Sequence, residues 1–91
     1  MYNKKYILEK IEEFNGHNYI YDNMEGCVCY PAYFNVGERG WFLIEPAFSF
    51  DTVHRIHTSV VKSVNYYQNA QLSSDYIAVE TQNTRYIFRL I

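Results

Sequence analysis

The sequence predicts an α+β protein that is mainly β, in which an N-terminal helix precedes about five antiparallel strands of a small, partly open barrel. Three observations support this prediction. Apolar residues near the N-terminus recur with a helical period, the rest of the chain is rich in β-branched and aromatic residues, and turn signals recur regularly. The 91 residues are expected to form a single domain, 1–91.

The helix is predicted over about residues 4–14. Ile7, Ile11 and Phe14 have the spacing i, i+4, i+7, which places them on one apolar stripe of a helix. Charged residues occupy the other sides of the segment. An asparagine precedes it as a suitable N-cap, and Gly16 lies where a helix would end.

The five strands are predicted between clusters of glycine, proline and polar residues. Pro31 interrupts the first strand, which makes this position a sheet edge or a bulge. The turn VGERG would place Val36 opposite Trp41 in the next strand. The third strand is longer than usual, so we expect a bend near residues 58–59. The predicted strands cover about residues 26–35, 40–46, 53–67, 75–81 and 84–91.

The last two strands form a hairpin whose register can be tested by charge. With the loop at 82–83, Glu80 faces Arg85 on one side of the sheet, and Val79 faces Tyr86 on the other. A shift of the loop by one residue would lose the opposite charges and break the shared apolar face. The sequence therefore predicts the unshifted register.

Short, strongly twisted strands with a capping helix resemble SH3-like or Sm-like barrels at the level of architecture. A five-stranded oligonucleotide-binding barrel is the alternative. The helix of that barrel normally lies within the strand order rather than before it, which favours the first comparison.

Composition and charge narrow the class of protein. The net charge of −2 and the pI near 5.8 provide no general attraction to phosphate backbones. The chain contains no run of about 18 apolar residues, so no membrane span is predicted. The N-terminal segment lacks the apolar stretch of a signal peptide. Cys27 and Cys29 would share one face of a strand, where a disulfide would be strained. The sequence therefore predicts a cytoplasmic protein with reduced thiols.

The chain contains residue types that could bind a metal, but their spacing is poor. Cys27 and Cys29 lack the C-x(2–4)-C knuckle of structural zinc sites, and His54 and His57 would point to opposite faces of a regular strand. Nothing marks either thiol as an activated nucleophile. We therefore predict no metal, no cofactor and no enzymatic activity.

The aromatic content carries the functional prediction. Ten Tyr, six Phe and one Trp in 91 residues exceed what one small core can bury. Exposed tyrosines offer large, rigid contact areas with a polar tip, which suits protein recognition. We therefore predict a protein-binding module that uses exposed aromatics and a loop tip. The predicted binding residues are Tyr19, Tyr21, Tyr30, Tyr33, Glu38, Arg39, Tyr66 and Tyr67.

Two other kinds of partner remain open. A nucleic acid could stack on tyrosines of a sheet face that also carries Lys62 and the arginines at 55, 85 and 89. Homo-oligomerisation could occur through an imperfect sheet edge near Pro31.

Three stretches, VGERGWFLIEP, HRIHTSVVKSV and VETQNTRYIF, resemble segments of short uncharacterised proteins from bacterial mobile elements and phages. The resemblance implies an accessory role exerted by binding a protein, as a stoichiometric inhibitor or adaptor. Small inhibitors of host defence, such as anti-CRISPR proteins, are similar in size and style. The resemblance implies no functional residue.

Overall fold

A computed structural model describes residues 4–16, 23–45, 54–71 and 74–91. These residues form a closed six-stranded antiparallel barrel in which each strand pairs with the next and the last pairs with the first. No helix in the described ranges is long and apolar enough to span a membrane. The strands are β1 (Tyr6–Glu13), β2 (Val28–Tyr33), β3 (Arg39–Glu45), β4 (His54–Asn69), β5 (Ser74–Thr81) and β6 (Thr84–Leu90).

The small β-barrel is confirmed, but the predicted N-terminal helix is wrong. The segment 4–14 contains β1, which pairs with β6 along its length and closes the barrel. A register shift between Leu8 and Lys10 inserts one extra residue into β1. Leu8 and Ile11, three positions apart, therefore both pack in the core. A bulged strand thus reproduces the apolar spacing of a helix.

The core lies on the barrel axis and is built from the inward residues of the strands. Phe42 packs edge-on against Phe88, with ring centroids 5.2 Å apart, and against Tyr86 at 5.4 Å. All three side chains are almost completely buried, together with Leu8 and Val79. Edge-to-face contacts of this kind stabilise a core beyond the effect of apolar burial alone.

The register predicted for the last hairpin is confirmed. In the β5–β6 ladder Glu80 faces Arg85, and Val79 faces Tyr86. The carboxylate of Glu80 and the guanidinium of Arg85 lie 3.8 Å apart. Local alternation and charge were therefore sufficient to define this part of the sheet.

The pairing predicted across the β2–β3 turn is wrong. Tyr33, not Val36, faces Trp41, and the register shifts just before Tyr33. Val36 instead lies in the turn and is exposed. The ring of Phe34 folds over Gly40, in space that any side chain at position 40 would occupy. The chain therefore leaves the β2–β3 ladder earlier than a regular hairpin would.

Strand β4 is shared between two partners. Its first half, up to Val60, pairs with β3, and its second half, from Val61 to Asn69, pairs with β5. The register of the second half shifts between Val61 and Ser63. A further shift, against β3, falls between His57 and Val60, so the irregularity expected near residues 58–59 is confirmed, next to the change of partner.

The seam between β1 and β2 is the shortest in the barrel. Only Tyr6 and Ile7 pair with β2 in regular register. Beyond them, the backbone N–H of Leu8 donates to the carbonyl of Cys27 at 3.0 Å. The backbone N–H of Ile11 donates to the Glu25 carboxylate at 2.8 Å. A side chain therefore replaces the missing strand partner at the end of this seam.

Candidate functional site

The outside of β2, β3 and β4 carries a continuous set of aromatic and basic side chains. Residues of β3 alternate between the two faces of the sheet, with Phe42 and Ile44 buried inside and Trp41 and Leu43 half-buried outside. Cross-strand pairing then aligns the outward residues of the three strands. We call this surface the sheet face; it consists of Tyr30, Leu43 and Arg55 in one row and Tyr33, Trp41 and His57 in the next.

An arginine stacks on the tryptophan of the sheet face. The guanidinium carbon of Arg55 lies 4.3 Å from the centroid of the Trp41 ring. This is a cation–π contact, worth about 0.5–1 kcal/mol at an exposed site. The contact connects the two rows of the sheet face and holds the guanidinium over the indole ring.

The two tyrosines of the sheet face are held by carboxylates. The Tyr30 hydroxyl donates to Glu45 at 2.9 Å, and the Tyr33 hydroxyl donates to Glu38 at 2.7 Å. The Asn35 amide donates to the Tyr33 hydroxyl at 2.9 Å. The hydrogen bond to Glu38 raises the pKa of Tyr33, and partial burial followed by the bond to Glu45 raises that of Tyr30. Both hydroxyls are therefore hydrogen-bonded within the protein before any partner arrives.

The predicted turn residues contribute to the structure of this region. Glu38 orients Tyr33, as described above. The Nε of Arg39 donates to the backbone carbonyl of Thr58 at 3.0 Å, which ties the start of β3 to β4. Tyr19 and Tyr21 lie outside the described residues.

Tyr66 and Tyr67, which the sequence analysis treated as one aromatic pair, belong to opposite faces of β4. Tyr67 pairs with Tyr76, and their rings stack with centroids 5.1 Å apart and planes 8° from parallel. Tyr66 pairs with the buried Ile77, yet 76% of its surface is exposed. Tyr66 therefore lies at an open end of the barrel, beyond the packed core.

This open end forms a second candidate surface. Two cavities of about 430 Å³ and 290 Å³ meet there, and they share Tyr6 and Tyr66 as lining residues. The larger one is within the range of about 300–1,000 Å³ that is usual for small-ligand sites. We call this end the barrel mouth; its central residues are Lys4, Tyr6, Tyr66, Asp75, Ile77 and Leu90. The larger cavity is also lined by Tyr67, Gln68 and Tyr76, and the smaller one by Pro31, Ala32 and Phe34.

The arginines of the alternative nucleic-acid face lie beside acidic residues. Arg85 is 3.4 Å from Glu12, and Arg89 is 3.4 Å from Glu9. Tyr86 packs in the core and presents no ring to the outside. The stripe of positive charge is therefore compensated along much of its length.

The two cysteines are buried and unpaired with each other. Burial is the main cause that raises the pKa of Cys29 to about 12, so its thiol stays protonated and unreactive at neutral pH. His54 and His57 are exposed on β4. Among the described residues, no three His, Cys, Asp or Glu side chains are grouped closely enough to hold a metal ion.

Trp41 was not among the predicted binding residues, and Arg55 was predicted only as part of a nucleic-acid face. The alternation along WFLIE could have placed Trp41 outside, because the apolar residues next to it need the inner face. The contact between Trp41 and Arg55 depends on the β3–β4 register, which no short-range signal defines.

Comparison of the chain with protein families, with curated proteins and with solved structures finds no match. The candidate surfaces are therefore interpreted from their own geometry and chemistry.

Proposed function

We propose that the protein is a non-enzymatic binding module that holds a partner protein on the sheet face. One observation carries this proposal: the pairing of β2, β3 and β4 brings Tyr30, Tyr33, Trp41 and Arg55 together on the outside of the barrel. Tyrosine, tryptophan and arginine are the residue types most enriched among the hot spots of protein interfaces.

The arrangement of these side chains also favours tight binding. Association costs free energy whenever mobile side chains become ordered at an interface. The hydroxyls of Tyr30 and Tyr33 are already hydrogen-bonded, and Arg55 already rests on Trp41. A partner therefore meets a surface whose largest side chains are ordered in advance.

The charge of the sheet face favours a protein over a nucleic acid. Glu45 and Glu38 lie directly beside the two tyrosines, so these carboxylates oppose the attraction of Arg55 for phosphate groups. The overall charge of −2 adds no compensating attraction. A nucleic acid is therefore the less favoured partner of this surface.

The biological role that we propose is that of a stoichiometric inhibitor or adaptor, such as a mobile-element or phage accessory protein. A blocker of this kind needs a rigid surface and no catalytic group. This role rests on the sequence resemblance alone. Self-association is the competing use of the same surface, and the test below separates the two.

The proposal is tested by capturing partners from a lysate of the source organism with two matched double variants. Tyr33→Ala/Arg55→Ala removes one tyrosine and one cation from the sheet face. Tyr67→Ala/Lys62→Ala removes a tyrosine and a cation from the second half of β4. Tyr67 is about as exposed as Tyr33 (45% and 38%) and lines the larger cavity of the barrel mouth, so this variant reports on that end of the barrel. We expect the first variant to recover at least about tenfold less partner, since each hot spot contributes more than about 1 kcal/mol.

Equal capture by both variants and the wild type would contradict the proposal. Capture that disappears after nuclease treatment would instead support the nucleic-acid alternative. Sedimentation of the purified chain identifies self-association, because a dimer that uses the sheet face would dissociate in the Tyr33→Ala/Arg55→Ala variant.

A further inference from the structure

The barrel mouth contains a carboxylate, Asp75, that forms no ion pair with another described residue. Asp75 is exposed at the start of β5, and its side chain has no ion pair or hydrogen bond within the part of the chain that the structure describes. Lys4 lines the same cavity, but no ion pair joins these two described residues. Within the described part of the chain, the Asp75 carboxylate is therefore available to a ligand in this cavity.

Aromatic rings lie beside this carboxylate. Tyr6 and Tyr66 line both cavities of the mouth, and the buried Ile77 lines both as an apolar floor. Burial raises the pKa of Tyr6, and Tyr66 and Asp75 add to this effect. The two phenols and the carboxylate are therefore close enough to interact electrostatically. Neutral tyrosine rings present faces of negative potential, which attract cations.

We propose that the barrel mouth binds an arginine side chain of a partner protein, with the guanidinium against the rings of Tyr66 and Tyr6 and paired with Asp75. Charge complementarity selects a cation, because the ring faces and the carboxylate act in the same direction. The apolar floor suits the methylene stem of a long basic side chain.

Arginine fits this site better than lysine does. Its guanidinium is planar, stacks on aromatic rings and is less strongly hydrated than an ammonium group. The same chain already shows this geometry in the contact of Arg55 with Trp41. The cavity of about 430 Å³ is wide enough for a side chain and its remaining water.

The effect of Lys4 distinguishes a cation site from an anion site, because its ammonium group repels a bound cation and attracts a bound anion. If the mouth binds an arginine, the Lys4 ammonium weakens binding by repulsion. If the mouth binds a carboxylate, Lys4 is the residue that holds it. Replacing Lys4 by glutamine should therefore strengthen the binding of arginine and would abolish that of an anion.

The mouth and the sheet face have no residue in common. The choice of a protein side chain as the ligand of the mouth rests on the proposed function, but the choice of a cation does not. The test therefore uses a small molecule. ¹⁵N-labelled protein is titrated with N-acetyl-arginine-N-methylamide and followed by two-dimensional NMR. Controls are the norleucine amide, which is neutral, and the glutamate amide, which is negative.

We expect saturable shifts of the amide signals of Tyr66, Asp75 and Ile77 with the arginine compound and none with the two controls. Tyr66→Ala should weaken binding about threefold to thirtyfold, the range of one cation–π contact. Asp75→Asn should weaken it about twofold to fivefold, as for an exposed ion pair. Tyr33→Ala, on the sheet face, should leave it unchanged.

Three results would overturn this inference. They are the absence of saturable shifts with the arginine compound, equal binding of norleucine, and tighter binding of glutamate. Tyr66 and Asp75 are exposed, so their variants are expected to fold, and the dispersion of the NMR spectrum verifies this. A negative result leaves the partner capture by the sheet face unaffected, so failure of this inference and failure of the proposed function can be distinguished.

Discussion

Replacement of Gly40 by alanine would disturb the contact between the end of β2 and the start of β3, which carry Tyr33 and Trp41 of the sheet face. Gly40 is buried at the start of β3, beside the end of β2. A Cβ atom there would lie 2.6 Å from Cδ1 of Phe34 and 2.8 Å from the carbonyl oxygen of Tyr33. Ordinary van der Waals contact begins at 3.4 Å, so both neighbours would have to move.

The loss of stability depends on how easily the two groups next to the new Cβ atom can move. The Phe34 ring can rotate, but the Tyr33 oxygen belongs to the backbone and moves only with the strand. Overpacking of this kind costs about 1–3 kcal/mol. Alanine regains about 0.4–1 kcal/mol by restricting the unfolded chain. We therefore expect a net loss of about 1–2 kcal/mol, which lowers the Tm by roughly 4–16 °C for a domain of this size.

Thermal and urea unfolding, followed by circular dichroism, measure this loss. The control is the same replacement in a Phe34→Ala background, which lacks the Cδ1 and Cε1 atoms that approach position 40. The cost of Gly40→Ala should be smaller there by at least about 0.5 kcal/mol, the coupling expected of residues in contact. A Gly40→Ala variant as stable as the wild type, or an equal cost in both backgrounds, would refute this reasoning.

Three further predictions concern the barrel wall and the thiol. Glu25→Ala should speed hydrogen exchange at the Ile11 amide and cost about 0.5–1.5 kcal/mol in urea unfolding, because it removes one hydrogen bond. Arg85→Gln should cost less than about 1 kcal/mol, and less still at high salt, because its ion pairs with Glu12 and Glu80 are partly exposed. Cys29 should react with iodoacetamide only after unfolding. The free energy of unfolding should also fall as pH rises from 9.0 to about 12, more steeply than in Cys29→Ala, because only the unfolded thiol then ionises.

The parts of the fold that local patterns define were predictable. The β5–β6 hairpin has strict alternation and opposite charges at Glu80 and Arg85, so only one register satisfies both. Strand β1 was not predictable in this way. Its bulge gives Leu8 and Ile11 a helical spacing, and its main partner, β6, lies at the other end of the chain. Tertiary pairing therefore overrode the local helical pattern.

The sequence predicted which residue types the candidate surfaces contain, but not which of these residues lie together. Composition correctly indicated exposed tyrosines, and Tyr33, Tyr66 and Tyr67 are exposed. The grouping of these residues follows from cross-strand register. This register places Trp41 beside Arg55, and it separates Tyr66 from Tyr67 by the ordinary alternation of a strand.

The single tryptophan of the chain allows the most direct test of the proposed binding surface. Trp41 lies at the centre of the sheet face, so 5-fluorotryptophan labelling places one ¹⁹F reporter there. We predict that the captured partner, once purified and added to saturation, shifts or broadens the ¹⁹F resonance, and that Arg55→Ala weakens this response. An unchanged resonance at saturating partner would contradict the assignment of the sheet face as the binding surface.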